Sequence, residues 1–578
     1  MSKPNPKTQF AYLSNSGLYL ANGSASSYSA GLPIKFDDEV KAFKYSPKGN
    51  YLLVHLVKSI HVYHTRSTEL SLVFELPIVN VIGLAFSPNE SYLSTICRYV
   101  KPTENDIPTK NMSVWNLKTG QAVLSFTQKQ LTDAWNVEWT EDESYCAKLI
   151  SNEVQIFDSS KFEKSTPTFR LKVEGLKSFS LSPGKRPCVA VFVSEQKGSP
   201  AGARIYDLTN MKAPLAQKSF YKADTVTFHW NNLGTNVLVF THTDVDTTGK
   251  SYYGETNLYY LAISGTFEAR VELDHAGPIH DVAWSPNSKE FIVVYGSMPA
   301  KATLFDHRTK PMYELGLGPR NTVRYSPTGR FFFVAGFGNL PGEMDIWERK
   351  SFKKIASVSA SNSSAWEWCP DGRHIMTSIL YRRLKVDNGI KIWHYTGVVS
   401  HQLEAKEMLM TGWRPEDVTL WPERSSSSPI PTAIVSTPTK PAGKYIPPSQ
   451  RHLGGSSSVY DREAADRNLA GLSIRSNAGR SVPGRSAPGG NRSANSAGGR
   501  EKEKPNNLTP PAPTQGVVPG GAIEVEKKIK SLNKKLTQIE DLKVRKATGV
   551  PLELTQLQKI DNEPKLRKEL EQLMKSLM

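Results

Sequence analysis

The chain offers few residues whose types and spacing could support catalysis. The string DTTGKS, residues 246–251, ends like a phosphate-binding loop, but Asp244 stands where GxxxxGK[ST] requires its first glycine. The string also lies between strand-like segments and does not open a helix, so we interpret it as an ordinary loop. No Ser/His/Asp arrangement is identifiable from spacing. We therefore expect a protein that is not an enzyme.

Metal chemistry has equally little support. His55, His61 and His64 fall in strand-like sequence, where they would point to alternating faces without a nearby cysteine or carboxylate set. The four cysteines are scattered, with no CxxC pair. The N-terminal MSKPNPKTQF has no apolar signal core, and no apolar run approaches the roughly 18 residues of a membrane span. We expect a soluble, cytoplasmic protein that uses no metal or cofactor.

The distribution of charge is the clearest indication of what the chain could bind. The chain has 578 residues and a net charge of +17. Residues 1–423 carry 46 basic and 41 acidic residues, residues 424–520 carry 13 and 5, and residues 521–578 carry 13 and 9. Most of the excess therefore lies in the last quarter of the chain, where it can attract a polyanion.

The C-terminal segment combines that charge with a helical apolar stripe. Its apolar positions step by 4, 3, 4 and 3 along AIEVEKKIKSLNKKLTQIEDLKVRKATG, which places them on one helix face: Val525, Ile529, Leu532, Leu536 and Ile539. The candidate phosphate-binding cations are Lys527, Lys528, Lys530, Lys534, Lys535, Lys543, Arg545 and Lys546. Such a segment could pack on a partner and neutralise phosphates. A small self-packed coiled coil or homodimer is the alternative.

Two smaller cation clusters lie in the first 423 residues. LYRRLKVDNG contains Arg382, Arg383 and Lys385, and DHRTK, residues 306–310, contains a histidine, an arginine and a lysine. Both clusters fall where connections between strands are expected, and such loops commonly bind partners. We take the first as a candidate RNA contact, with ordinary solvated loops as the alternative.

A repeat supplies the elements that would position these residues. Eight segments share an aromatic or apolar residue, a Ser-Pro-x-Gly turn or a degenerate version of it, and an apolar run. They begin at Tyr45, Phe86, Trp139, Leu181, Trp230, Trp284, Tyr325 and Trp368. Their spacing of 41 to 54 residues is at or above that of a four-stranded propeller blade.

A second signature follows each turn: a strand with an aromatic residue near its end, as in MSVWNL and MDIWER. Together the two signatures resemble a degenerate WD-type repeat. The hairpin FAYLSNSGLYLANG, residues 10–23, lacks a preceding turn, whereas MLMTGWRPED, residues 408–417, lacks following strands. We infer that the two segments form one blade. The prediction is an all-β, nine-bladed WD40-type β-propeller closed by N- and C-terminal strands.

The predicted domains follow the composition. Residues 1–423 form the propeller. Residues 424–521, rich in Ser, Gly, Pro and Arg, form a disordered basic linker that contains one richer island, GKYIPPSQR. Residues 522–578 form C-terminal α-helices, as a helical hairpin or three short helices.

GWRPED ends the predicted propeller, and near the C-terminus lies EKKIKSLNKKLTQIEDLKVRKATGVPLELTQLQKI. In these segments and in the order of its parts, the chain resembles the eukaryotic translation initiation factor 2A family. The resemblance spans nearly the whole chain. It implies binding to the small (40S) ribosomal subunit, with residues 522–578 as the ribosome-binding segment, and codon-dependent, GTP-independent delivery of initiator methionyl-tRNA. The implied partners are the 40S subunit, initiator methionyl-tRNA, mRNA and other initiation factors, without a membrane.

The alternative function is that of a scaffold like the large propeller subunit of initiation factor 3, without tRNA delivery. That subunit would place an RNA-recognition domain before its propeller, whereas only nine residues precede the first strand here. We therefore expect the initiation factor 2A function.

Overall fold

In a computed structural model the chain forms two compact units, Met1–Tyr445 and Ile446–Met578. The structure describes residues 7–24, 27–65, 70–101, 109–129, 135–196, 199–221, 223–243 and 254–421, and ten positions between 536 and 570. The predicted linker lies outside the described residues, so the bounds of the three predicted domains stay predictions.

The first unit is a nine-bladed β-propeller, as predicted. Each blade is a sheet of four antiparallel strands. Blade I combines β1 (Thr8–Ser14), β2 (Gly17–Ser24) and β3 (Ser27–Ala30) with β36 (Met408–Trp413). In the other eight blades the four strands are consecutive in sequence.

Blade II contains β4 (Val40–Tyr45), β5 (Tyr51–Leu56), β6 (Ile60–His64) and β7 (Ser71–Leu76). Blade III contains β8 (Val81–Phe86), β9 (Tyr92–Cys97), β10 (Met112–Asn116) and β11 (Ala122–Phe126). Blade IV contains β12 (Glu138–Trp139), β13 (Tyr145–Ile150), β14 (Glu153–Asp158) and β15 (Phe169–Lys172). Blade V contains β16 (Leu176–Leu181), β17 (Cys188–Val193), β18 (Ala201–Asp207) and β19 (Ala216–Phe220).

Blade VI contains β20 (Thr225–Trp230), β21 (Asn236–His242), β22 (Thr256–Ala262) and β23 (Glu268–Arg270). Blade VII contains β24 (Ile279–Trp284), β25 (Glu290–Tyr295), β26 (Ala300–Asp306) and β27 (Pro311–Gly318). Blade VIII contains β28 (Thr322–Tyr325), β29 (Phe331–Ala335), β30 (Glu343–Glu348) and β31 (Lys353–Ser359). Blade IX contains β32 (Ala365–Trp368), β33 (His374–Ile379), β34 (Gly389–His394) and β35 (Val399–Glu404). Short 3-10 helices cover Ser159–Lys164 and Val418–Leu420.

The strand order defines two faces of the propeller by the connections that each face carries. The first strand of each blade is innermost, and first strands of successive blades contact each other around the centre. Because neighbouring strands are antiparallel, the first-to-second and third-to-fourth connections share one face, which we call the turn face. The second-to-third and blade-to-blade connections share the other, which we call the loop face.

The predicted turns connect first and second strands, and their leading residue has a defined role. The hydroxyl oxygens of Ser46, Ser87 and Ser326 accept the backbone N–H five residues later at 2.8, 2.9 and 3.1 Å. All three serines are buried. In these three turns the hydroxyl therefore satisfies a backbone donor that burial would otherwise leave without a partner. The buried hydroxyl of Ser285, in the same turn of blade VII, has no hydrogen-bond partner among the described residues.

The predicted ring closure is confirmed by the pairing of β1 with β36. The two strands are antiparallel, with Phe10 opposite Trp413 and Leu13 opposite Met410. The Phe10 side chain is fully buried, and its ring lies 5.4 Å from that of Trp413 in an edge-on contact. The N-terminal hairpin thus completes a blade whose inner strand comes from the far end of the propeller sequence.

The core lies between the blades. The second strands β17, β25 and β29 are buried along their whole length. Apolar clusters join side chains of adjacent blades, as in the cluster that combines β13 and β14 with β16 and β17. Each sheet therefore buries both faces of its middle strands, and this accounts for the continuous apolar runs after each turn.

Candidate functional site

The first predicted cation cluster, Arg382, Arg383 and Lys385, lies in the loop between β33 and β34, on the loop face of blade IX. Backbone bonds fix this loop: Tyr381 N–H donates to the Met408 carbonyl at 2.7 Å, and Arg383 N–H donates to the Leu380 carbonyl at 3.0 Å. The loop is therefore anchored to the last strand of the propeller.

The three cationic side chains are all exposed. Arg383 donates a hydrogen bond to the Asn339 side chain of blade VIII. The Lys385 ammonium lies 6.0 Å from the centre of the Tyr381 ring, at the limit of a cation–π contact. Arg382 has no side-chain partner among the residues that the structure describes. The structure thus brings the three cations together at the surface, with Arg382 the most available.

The second predicted cluster lies on the other face. DHRTK forms the connection between β26 and β27, a third-to-fourth connection, and so belongs to the turn face. Arg308 and Lys310 are exposed, and their backbone N–H groups both donate to the Asp306 carboxylate at 2.8 Å. The two clusters therefore point to opposite sides of the ring.

The C-terminal segment is described at ten helical positions. Ile539 is 3% exposed, and Leu536 is half-buried, as the apolar stripe requires. Lys543 forms an ion pair with Glu563, and Arg567 reaches the same carboxylate at 3.0 Å. The remaining predicted residues lie outside the described residues: Val525, Lys527, Lys528, Ile529, Lys530, Leu532, Lys534, Lys535, Arg545 and Lys546.

The Lys543–Glu563 pair joins two helical parts of this unit. The Lys543 ammonium, with help from Arg567, holds the pKa of the Glu563 carboxyl below its ordinary value. Lys543 was predicted as a phosphate contact, yet here its ammonium already has an acidic partner. Self-packing of the segment therefore has structural support at this position.

The other candidate residues behave as expected for structural positions. His61 contacts Ser59 and Tyr63 through its two ring nitrogens at 2.9 and 3.0 Å, and His64 stacks on Tyr51. Across the described ranges, no group of three His, Cys, Asp or Glu residues could hold a metal. Nor does any helix in those ranges have the length and apolarity to cross a membrane. The DTTGKS string lies outside the described residues.

Three carboxylates that were not predicted from the sequence connect the inner strands of adjacent blades by hydrogen bonds. Glu138 accepts the Leu181 N–H at 2.6 Å, Asp281 accepts the Val323 N–H at 2.9 Å, and Glu367 accepts the Trp413 N–H at 2.9 Å. Each bond connects the first strand of one blade to that of the next. Desolvation by the surrounding strands raises the pKa of Glu138 and of Glu367 to about 7. An acidic residue within an inner strand was the only available signal.

Comparison with known proteins decides the family. The family model for eukaryotic translation initiation factor eIF2A matches residues 218–411, and the model for the eukaryotic translation initiation factor 2A C-terminal domain matches residues 527–573. Eukaryotic translation initiation factor 2A of Schizosaccharomyces pombe is 41% identical over 98% of this chain and 98% of its own length. The chain belongs to the eukaryotic translation initiation factor 2A family.

Other members and a solved structure agree. Eukaryotic translation initiation factor 2A of Dictyostelium discoideum is 31% identical over 99% of this chain and 92% of its own length. A crystal structure described as that of the eukaryotic initiation factor is 40% identical, with a TM-score of 0.65, and covers 72% of this chain and all of the solved one. Initiation factor 2A membership confirms the family predicted from the sequence, and it implies partners in the initiation machinery.

Proposed function

We propose that the protein is a cytoplasmic initiation factor that binds the 40S subunit and promotes codon-dependent, GTP-independent delivery of initiator methionyl-tRNA to mRNA-bound 40S. The observation that carries the proposal is the coincidence of three features in residues 527–573. These residues match the family's C-terminal domain, contain the predicted lysine face, and contain the apolar stripe from Ile529 onward, in which Ile539 is buried.

In this proposal the C-terminal segment provides 40S affinity, and the loop-face cluster contributes to tRNA retention. Lysines on a helix suit ribosomal RNA phosphates, because phosphate contacts need charge more than fixed geometry. The exposed Arg382 on a fixed propeller loop suits a structured RNA such as tRNA. No step requires a catalytic residue or a cofactor of this chain.

The first prediction concerns the C-terminal lysines. Changing Lys534, Lys535, Arg545 and Lys546 to Gln in the full chain should weaken co-sedimentation with 40S subunits. It should also flatten the salt dependence of binding, by roughly 0.7 to 0.9 in log–log slope for each lost phosphate contact. Titration with 40S at several KCl concentrations measures both effects.

Two comparisons make that result interpretable. Changing Leu532 and Leu536 to Ala should weaken binding with little change in slope, because these side chains contribute apolar burial and not charge. Changing Lys559, Lys565, Lys568 and Lys575 to Gln is the matched charge control. Equal slopes for the first two variants would mean that the lysines form only a solvated face. Binding of 40S without tRNA retention by the wild-type protein would favour the scaffold function.

A further inference from the structure

The third-to-fourth connections of blades VII and VIII carry cations side by side on the turn face. Arg308 and Lys310 flank the turn into β27, and Lys350 and Lys353 flank the turn into β31. All four side chains are exposed, and within the described ranges none has a hydrogen-bonding or ion-pairing partner for its charged group. This part of the surface therefore presents four available positive charges.

The carboxylates beside these cations are already engaged. Asp306 accepts the two backbone N–H groups of its own turn, as described above. Glu290 pairs with Arg349, and Glu314 pairs with Lys301 at 3.0 Å. Glu348, opposite Lys353, lies 3.6 Å from Arg330. Asp306 keeps its negative charge, because its partners are neutral N–H groups, but four cations outnumber this one carboxylate, so the field above them is positive.

Two aromatic rings lie between the cation pairs. Tyr313 of β27 and Phe352, next to β31, stack with ring centres 4.9 Å apart and planes 13° apart. Tyr313 remains 36% exposed, and its ring meets Trp347 edge-on at 6.2 Å. The stack joins the two blades and leaves aromatic surface open to solvent beside the cations.

The backbone at Phe352 indicates that this ring is placed at a conformational cost. Phe352 has φ +52° in the turn before β31, and Thr309 has φ +61° in the turn before β27. The corresponding turns of blades III and VI have Gly120 and Gly265 in the left-handed region. Glycine accepts this conformation readily, whereas a bulky side chain does so rarely. A glycine would suit the turn equally well, so the ring is kept for its contacts: it packs on the apolar cluster between blades VII and VIII and stacks on Tyr313.

We propose that these residues form a binding surface for single-stranded RNA. We call it the turn-face patch; its members are Arg308, Lys310, Tyr313, Lys350, Phe352 and Lys353. The cations would contact backbone phosphates, and the Tyr313–Phe352 stack would receive an unpaired base, the combination by which single strands are held without sequence preference. This inference goes beyond the proposed function, because the patch lies on the face opposite Arg382 and belongs to a different unit from the C-terminal helices.

Single-stranded RNA fits the patch better than two other polyanions. A duplex hides the faces of its bases in the stack, so it could use the cations but not the rings. An acidic peptide could use the cations but offers no planar ring for the aromatic stack. The preference for an unpaired strand is therefore the property that a test must measure.

The test compares two triple variants of the full chain. The patch variant carries Arg308→Gln, Lys310→Gln and Lys350→Gln. The control carries Lys164→Gln, Lys185→Gln and Lys212→Gln, three exposed lysines from turn-face connections of blades IV and V. Fluorescence anisotropy with a labelled 20-nucleotide oligouridine, across a KCl series, measures affinity and salt slope. The patch variant should lose about 0.7 in slope for each lost contact, and the control should bind like wild type.

A second pair of variants tests the ring. Phe352→Gly relieves the left-handed strain but removes contacts between blades VII and VIII, so its thermal unfolding is measured beside its binding. The folded variant should bind oligouridine roughly five- to hundredfold more weakly, with the salt slope unchanged. Phe352→Tyr should restore binding. A 20-base-pair RNA duplex should bind the wild-type protein and Phe352→Gly equally.

Three outcomes would overturn the proposal. The patch variant could bind oligouridine as tightly as the control, Phe352→Gly could leave oligouridine binding unchanged, or a poly-glutamate peptide could compete as well as an RNA of equal charge. The C-terminal lysines are intact in all these variants, so 40S co-sedimentation should persist. Failure of the earlier 40S experiment would overturn the proposed function and leave this result standing.

Discussion

Glu138 and Glu367 each stand just before the last residue of an inner strand, and each accepts an N–H from the next blade. A carboxylate is a strong acceptor, but surrounding strands make its charged form costly. This cost of burying the charged form raises the pKa of both groups. These bonds could not be predicted from sequence, because Leu181 and Trp413 lie more than forty residues away from their acceptors and only the assembled ring brings them together.

A second prediction follows for Glu138. Its pKa is raised from an ordinary 4.5 to about 7, so its contribution to stability is present below pH 4.5 and is lost as pH rises through 7. Glu138→Gln keeps an acceptor oxygen for Leu181 and removes the titration. We expect its free energy of unfolding to exceed that of wild type by about 1 to 3 kcal/mol at pH 8 and to match it near pH 4.5.

Urea unfolding of both proteins at the two pH values measures this difference. Asp142→Asn is a useful control, because the pKa of this carboxyl is shifted in the opposite direction. Hydrogen bonds from Thr140 and Ser144 hold this pKa below its ordinary value. A gain for Glu138→Gln that is equal at both pH values would contradict a role for Glu138 titration.

At the scale of elements, the repeats were highly predictive. Eight inner strands, their turns and the ninth blade all follow from aromatic–Ser–Pro spacing, because each blade must satisfy the same local requirements of turn and burial. The C-terminal helices were less predictable. A stripe of apolar residues defines one face of a helix but not the register against its partner, so the Lys543–Glu563 pair was not foreseeable.

The third prediction tests the seam between β1 and β36. Phe10→Ala removes a fully buried ring that contacts Trp413 and Tyr28 at 5.4 and 5.2 Å, and it should cost about 3 to 5 kcal/mol of stability. Tyr19→Ala, on the more exposed strand β2, is the control and should cost less. Thermal unfolding of the full chain measures both. A melting temperature unchanged by Phe10→Ala would mean that the seam contributes little to propeller stability.

At the scale of the whole molecule, the two faces of the ring separate the proposed activities. The loop face has the Arg382 cluster, and the turn face has the patch around Phe352. Which connections share a face follows from strand order alone and was available from the repeats. Which cations remain without acidic partners depends on side-chain contacts between blades, and sequence could not provide it.

The fourth prediction concerns tRNA. Changing Arg382, Arg383 and Lys385 to Gln should lower retention of initiator methionyl-tRNA on 40S complexes programmed with a start codon. It should leave 40S binding intact, because the lysines proposed to provide it lie elsewhere in the chain. Filter binding measures the first quantity, and sedimentation measures the second. The triple variant Lys164→Gln, Lys185→Gln and Lys212→Gln serves as a matched charge control. Undiminished tRNA retention would remove this cluster from the mechanism, and joint loss of both activities would argue for one shared site.

The pairing of β1 with β36 also has a consequence for biosynthesis. The ribosome makes β1 first, yet its inner neighbour is the last strand of the propeller to be made. Elongation at about 5 to 20 residues per second separates the two by roughly 20 to 80 s. During that interval the nascent hairpin has an open edge that invites pairing with other chains. We expect the emerging chain to need a chaperone at its N-terminal hairpin, and a message truncated before codon 408 to yield a ring that cannot close.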